Sequence, residues 1–219
     1  MARWKSGVPS RSELRDAKRD AVLREASTSF NERGFHGTSL DDVAQRLGVT
    51  KAALYYYFPN KQAVLKACFD LAMEVAFDNI KRAKQEGRNG REKLKIALSD
   101  FLEYIIDEHS VSITMMETDS LTPEDFQAVK DERRKFEYEL RDFVREGIKD
   151  GSIVPCDPKL VVLALLGAMN WVPRWYKPDG AWSRAEVNTL MSDLLERMIS
   201  AKPTEKLQPP KRARATSKT

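Results

Sequence analysis

Cysteine and histidine are scarce in this chain, with two of each among 219 residues. Cys68 and Cys156 lie far apart in helix-like surroundings, so two reduced, packed thiols are expected rather than a disulfide. His36 and His109 fall in different regions, and no cluster of His, Cys and carboxylates has metal-ligand spacing. Gly-rich phosphate loops and nucleophile elbows are missing too, and Glu117 and Asp119, two apart, need not face a common site. An enzyme is therefore the disfavoured class, and no resident cofactor or metal is expected. The longest apolar run, Leu160 to Met169, falls well short of the roughly 20 residues of a membrane span. The opening Met-Ala-Arg-Trp-Lys has no apolar core of secretory type behind it, so a cytoplasmic location is expected.

The formal net charge is only +4, but it is unevenly placed. Residues 1–61 carry 11 basic and 7 acidic groups, residues 62–201 carry 20 and 25, and residues 202–219 carry 6 and 1. A basic N-terminal unit on an acidic body suits a chain whose first part alone meets a polyanion. Arg3, Lys5, Arg11, Arg15, Lys18 and Arg19 crowd the start. Residues 1–15 are expected to form a flexible basic arm that follows a phosphate backbone or enters a minor groove; plain solubility of a disordered end accounts for the same charges. Residues 202–219, with Pro203, Pro209 and Pro210 and few apolar side chains, cannot repay the entropy of ordering. They are expected to be a disordered basic tail with nonspecific DNA affinity.

The informative segment runs from Thr38 to Lys61. Leu40, Val43, Ala44 and Leu47 follow the i, i+3, i+4, i+7 spacing of a helix that buries one face. Thr38 or Ser39 can cap its start, each with an Asp three residues on. Gly48 permits the left-handed stop, Thr50 is placed to cap a second helix, and Pro59 ends it after Phe58. Upstream, Val22, Leu23, Ala26 and Phe30 give a preceding helix an apolar side before Gly34. Three packed helices over residues 16–61 follow, the last two around a tight turn.

In such an arrangement the second helix presents its leading residues to base edges and its flanks to phosphates. Thr50 offers a hydroxyl, Lys51 a flexible positive charge, and the small Ala52 allows close approach or touches a thymine methyl. Tyr55, Tyr56 and Lys61 suit phosphate anchoring, although each residue singly has a purely structural reading as cap, core edge or solvated charge.

Ala26, Phe30, Gly34, Phe35, Thr38, Ser39, Val43, Ala44, Gly48, Val49, Leu54, Tyr55, Tyr57, Phe58, Lys61 and Leu65 together resemble the N-terminal signature of the TetR family of transcriptional regulators. The resemblance implies that Ser39, Thr50, Lys51, Ala52, Tyr55, Tyr56 and Lys61 form the operator-contacting set, while Leu54 and Phe58 hold the helices together. Tyr57 stands where relatives often carry His. The signature covers about a quarter of the chain, and the rest must be argued on its own residues.

Residues 62–201 show helical spacing nearly throughout. The spacing predicts helices over 63–86, 91–107, a short one around 110–119, then 123–149 and, after Gly151 and Pro155, two more. Leu160 to Met169 is almost wholly apolar, and Arg184 to Ile199 carries Val187, Leu190, Met191, Leu194, Leu195 and Met198. Helices apolar around most of their circumference need burial on more than one side. A second copy of the chain packed through four helices is the simplest closure, and it would present two reading units to a palindromic duplex.

Three of the four tryptophans fall between Gly167 and Trp182. Trp171 and Trp175 share a helical face beside Asn170 and Arg174, as aromatic core at a dimer edge or as a ligand wall with Arg174 or Lys177 at its mouth. The region is similar to TetR-type regulators of fatty acid and steroid breakdown, which implies an acyl-coenzyme A thioester as effector. Met73, Phe77, Phe101, Tyr104, Ile105 and Met115, with Trp171, Arg174 and Trp175, make up the expected ligand-binding set. An uncharged drug or metabolite as effector, or a DNA-organising protein with no effector, are the alternatives. The expectation is an all-α chain: an N-terminal three-helix DNA-binding domain with a helix-turn-helix, then a helical ligand-binding and dimerisation domain, acting on the nucleoid.

Overall fold

A computed structural model describes residues 10–107 and 117–200. Within them the chain is helical: α1 (Arg11–Arg33), α2 (Leu40–Arg46), α3 (Lys51–Tyr57), α4 (Lys61–Glu86), α5 (Gly90–Ile105), a single 3₁₀ turn at Thr118–Ser120, α6 (Pro123–Asp150), α7 (Pro158–Trp175) and α8 (Arg184–Ile199). The short helix expected around 110–119 lies largely outside the described residues, as do Met115, His109, residues 1–9 and the C-terminal tail.

Local chemistry sets the helix ends. Ser39, rather than Thr38, caps α2: its hydroxyl accepts from the Asp42 N–H at 3.1 Å, and the Asp42 carboxylate accepts from the Ser39 N–H at 3.1 Å. Thr38 is buried instead and donates to the carbonyls of Ser29 and Gly34. Gly34 and Gly48 take positive φ, +72° and +66°, where α1 ends and α2 turns into α3.

The described residues divide into two compact units, one drawn from residues 1–71 and 108–127, the other from 72–107 and 128–219. The division falls inside α4 and not at residue 61/62, where the sequence places it. The first turns of α4 belong to the N-terminal core: Cys68 is fully buried, with Ser27 donating to its Sγ at 3.4 Å and the Leu23 carbonyl 3.8 Å away. Burial pushes this thiol up to about 12, so it remains a protonated packing group. The start of the chain differs as well. Arg11 and Arg15, assigned to a flexible arm, sit on α1, whose first turn is fixed by a reciprocal cap between Ser10 and Glu13.

In the second unit α5 packs along α8, tied by Lys95 to Glu196 at 2.7 Å, Arg184 to Asp107 at 2.8 Å and Asn188 to the Ser99 carbonyl at 3.2 Å. Glu196 is nearly buried and is shared by Lys95 and Arg91. Gly90 and Gly147 meet so closely that a Cβ on Gly90 would lie 2.1 Å from the Gly147 nitrogen.

Candidate nucleic-acid interface and effector region

The reading face is built on α3. Thr50 stands in extended conformation before it, with its hydroxyl accepting from the Ala53 N–H at 3.2 Å. Leu54 and Phe58 point inward and are buried. Lys51, Ala52, Tyr55 and Tyr56 point outward; Tyr56 is 75% exposed and Tyr55 41%. Ala53 is exposed as well, turned to solvent on a seven-residue helix anchored by Leu54 and Phe58. Beside α3 lies an open concavity of about 430 Å³, lined among others by Ser39, Tyr55, Asn60 and Lys61.

Two of the expected contact residues already have partners. Lys51 pairs with Asp41 at 2.9 Å and lies over the Tyr55 ring, and the Asp41 carboxylate raises its pKa. Lys61 donates to the carbonyls of Phe35 and Thr38 at 2.8 and 2.9 Å. It is thus a clasp between α4 and the α1–α2 connection, a task that its spacing does not reveal. Ser39 is exposed, but its hydroxyl serves the α2 cap. Ser29 and Arg46 complete the support from behind: Arg46 grips Glu32 at 2.6 Å and Glu25 at 2.7 Å, and so holds α2 against α1.

The expected effector-binding residues separate into two groups. Met73, Phe101 and Ile105 are buried, and Phe77 and Tyr104 half-buried. Phe77 and Phe101 converge on Phe136 of α6, with ring centres 6.3 and 5.7 Å away. Phe136 escapes a reading of the sequence because α6 is so heavily charged; its spacing from Val129, Leu140 and Phe143 is the available signal. Trp171, Arg174 and Trp175 do not join this cluster as a ligand wall. They lie exposed, Trp171 at 61%, on the outer side of α7, whose inner side is Val162, Leu165, Met169 and Val172. Leu160 and Leu163 on α7, and Leu194 and Met198 on α8, are exposed as well. Among the described residues no group of three His, Cys, Asp or Glu is placed to hold a metal, and no helix is long and apolar enough to cross a membrane.

Residues 22–68 match the bacterial regulatory proteins of the tetR family, and residues 87–199 match the tetracyclin repressor-like C-terminal domain. The chain belongs to the TetR family. Its members are transcription regulators rather than enzymes, and this TetR-family protein is accordingly a DNA-binding regulator. It is 27% identical over 174 residues to the HTH-type transcriptional repressor KstR2 of Mycolicibacterium smegmatis, covering 78% of this chain and 85% of that one. Among solved structures it is similar to PfmR, a TetR-family regulator of Thermus thermophilus, at 32% identity and a TM-score of 0.72, over 80% of this chain and 97% of that one. It is also similar to AibR in complex with isovaleryl coenzyme A and operator DNA, at 25% identity and a TM-score of 0.72, over 81% and 97%.

Proposed function

We propose that this TetR-family regulator is a homodimeric repressor that reads a palindromic operator and leaves it on binding an acyl-coenzyme A-like effector. Thr50, Lys51, Ala52, Tyr55 and Tyr56 would form the reading surface, with Ser39 and Lys61 at its flank. The observation that carries the DNA half is the outward turn of Lys51, Ala52, Tyr55 and Tyr56 on a capped helix whose inner side is buried. Small and cationic groups at the leading turn suit base edges, and the tyrosine hydroxyls suit phosphates. The exposed apolar lines of α7 and α8 support pairing with a second copy, which would set two reading helices on two half-sites.

The effector half rests on likeness and on chemistry. AibR, of similar fold over most of the chain, holds isovaleryl coenzyme A. Here the cluster of Phe77, Phe101 and Phe136 with Met73, Tyr104 and Ile105 offers apolar surface for an acyl chain. Arg174 and Lys177, both exposed, can meet phosphate groups without burying an unpaired charge. Because α4 runs through both compact units, a ligand that displaces it in the second unit biases the placement of α3. The protein would work in the cytoplasm, on the nucleoid.

Operator release supplies the test. The full chain bound to a labelled duplex from upstream of its own gene is titrated with isovaleryl-coenzyme A, a longer acyl-coenzyme A, the free acids and coenzyme A alone. Release by a thioester but not by its acid or by coenzyme A is expected. Release only by uncharged apolar compounds would replace the thioester with a drug or metabolite, and binding to every duplex without response would leave a DNA-organising protein.

A further inference from the structure

Helix α1 is longer than the domain it serves. Every residue from Arg11 to Asp20 is exposed, and full burial begins at Val22. With 3.6 residues per turn, positions 11, 15, 18, 22, 26 and 29 fall along one side of the helix. Inside the domain this line is Val22, Ala26 and Ser29, all buried. Beyond the domain the same line becomes Arg11, Arg15 and Lys18. Arg19, next to it, lies 5.4 Å over the ring of Phe58, the residue that ends α3, so this side of α1 faces the C-terminal end of the reading helix. Glu13, Asp16 and Asp20 occupy the opposite side.

An overhanging helix with nothing to bury is intrinsically marginal, and no packing demand sorts its charges. Here it is capped at Ser10 by a reciprocal pair with Glu13, and its basic side continues the packing line. A side that turns from apolar to cationic where the protein beneath it ends is complementary to a polyanion, not to more protein. The three charges span about 10 Å of helix, on the scale of successive phosphates of one strand. The N-terminal family match begins at residue 22, after this element.

We infer that Arg11–Asp20 is a second DNA-contacting element, an ordered helical overhang whose Arg11, Arg15 and Lys18 lie along the phosphate backbone outside the groove entered by α3. It lengthens the footprint of each half-site and adds affinity that carries no base preference. The inference rests on the DNA-reading proposal above.

The test uses the full chain and a duplex that the wild type selects from a random pool, in its shortest bound form and lengthened by about ten base pairs at each end. The variants are Arg11→Ala/Arg15→Ala/Lys18→Ala, the opposite-side control Asp16→Asn/Asp20→Asn, and Ala17→Pro, which breaks the overhang but keeps its charges. The triple variant is expected to bind the long duplex at least tenfold more weakly at low salt. Its plot of affinity against salt should flatten by about 0.9 per lost contact, up to about 5 for a dimer. Ala17→Pro should lose a similar amount, the amide control should bind no more weakly than wild type, and the hydroxyl-radical footprint should shorten at both ends in the triple variant and in Ala17→Pro. A triple variant with wild-type slope and footprint overturns the inference; so does an unimpaired Ala17→Pro, which would assign the charges to a flexible arm. A wild type that selects no duplex defeats the DNA-reading proposal itself, and the overhang with it.

Discussion

Lys61 Nζ donates to the carbonyl of Phe35 at 2.8 Å and lies 4.2 Å from the centre of that residue's ring. A second bond, to the Thr38 carbonyl at 2.9 Å, makes the first residue of α4 a clasp on the connection between α1 and α2. Burial lowers its pKa below the usual lysine value, the sign of an ammonium held in partly dry surroundings. Two of its three protons are committed to the fold.

Lys61→Met should therefore act first on stability. Loss of charge-assisted bonds to two carbonyls predicts destabilisation of about 1.5–3 kcal/mol, measured by urea unfolding. DNA affinity should fall with it, while the salt dependence of binding changes little. A slope lower by about 0.9 at unchanged stability would make Lys61 a phosphate contact and nothing more.

If Lys51 meets DNA as proposed, its pairing with Asp41 competes with that contact. Asp41→Asn is expected to free the ammonium and tighten operator binding several-fold at low salt, whereas Lys51→Ala weakens it. The double variant should match Lys51→Ala, because Asp41 acts only through the lysine. Fluorescence anisotropy on one duplex compares all four proteins; a tightening that survives in the double variant would show that Asp41 repels phosphate directly.

The outward apolar line of α7 is expected to hold the dimer. Trp171→Glu or Leu163→Glu places a carboxylate in the middle of that line, where pairing would desolvate it. Sedimentation at micromolar concentration should give a monomer with wild-type helicity and much weaker operator binding. A dimer retained in both variants would move the interface off this side of α7.

Acid should loosen the helix starts. The carboxylates of Glu13, Asp42 and Glu186 each accept from the serine that begins their helix, Ser10, Ser39 and Ser183, and these bonds hold them below ordinary carboxylate values. Since the folded values are the lower ones, their stabilisation is complete above the ordinary range near about 4. It is lost as pH falls through the lowered values. Circular dichroism should show helicity and melting temperature declining below that range, and the combined Glu13→Gln, Asp42→Asn, Glu186→Gln variant should be less stable at neutral pH and less sensitive to acid. Removing a serine cap, as in Ser39→Ala, should cost about 1 kcal/mol at neutral pH.

Where signals are local, the sequence is a sufficient guide. The α2–turn–α3 unit is legible because Ser39, Gly48 and Thr50 act within four residues of themselves, through hydrogen bonds and one left-handed turn. The same holds for α8, whose expected bounds, Arg184 and Ile199, are those observed. The overhang of α1 is not legible. It has no apolar periodicity, and its serine-glutamate cap is hidden in the density of charge around it. Nor is Phe136, one of several aromatics spread among the charges of α6, which gains its meaning only when Phe77 and Phe101 arrive from other helices.

The sequence by itself determined that this chain is built of helices and where most of the described ones begin and end, since these follow from capping and spacing, while it left Tyr55 and Tyr56 divided between core edge and solvent. Tertiary structure decided which of several chemically equal choices each side chain takes. Lysines look alike in sequence, yet Lys51 meets a carboxylate and Lys61 two carbonyls because different elements arrive beside them. Both sides of α7 are apolar, and only the burial of Val162, Leu165, Met169 and Val172 leaves Trp171 and Trp175 facing outward. Periodicity states that a side must be buried; what buries it is supplied by residues distant in the chain.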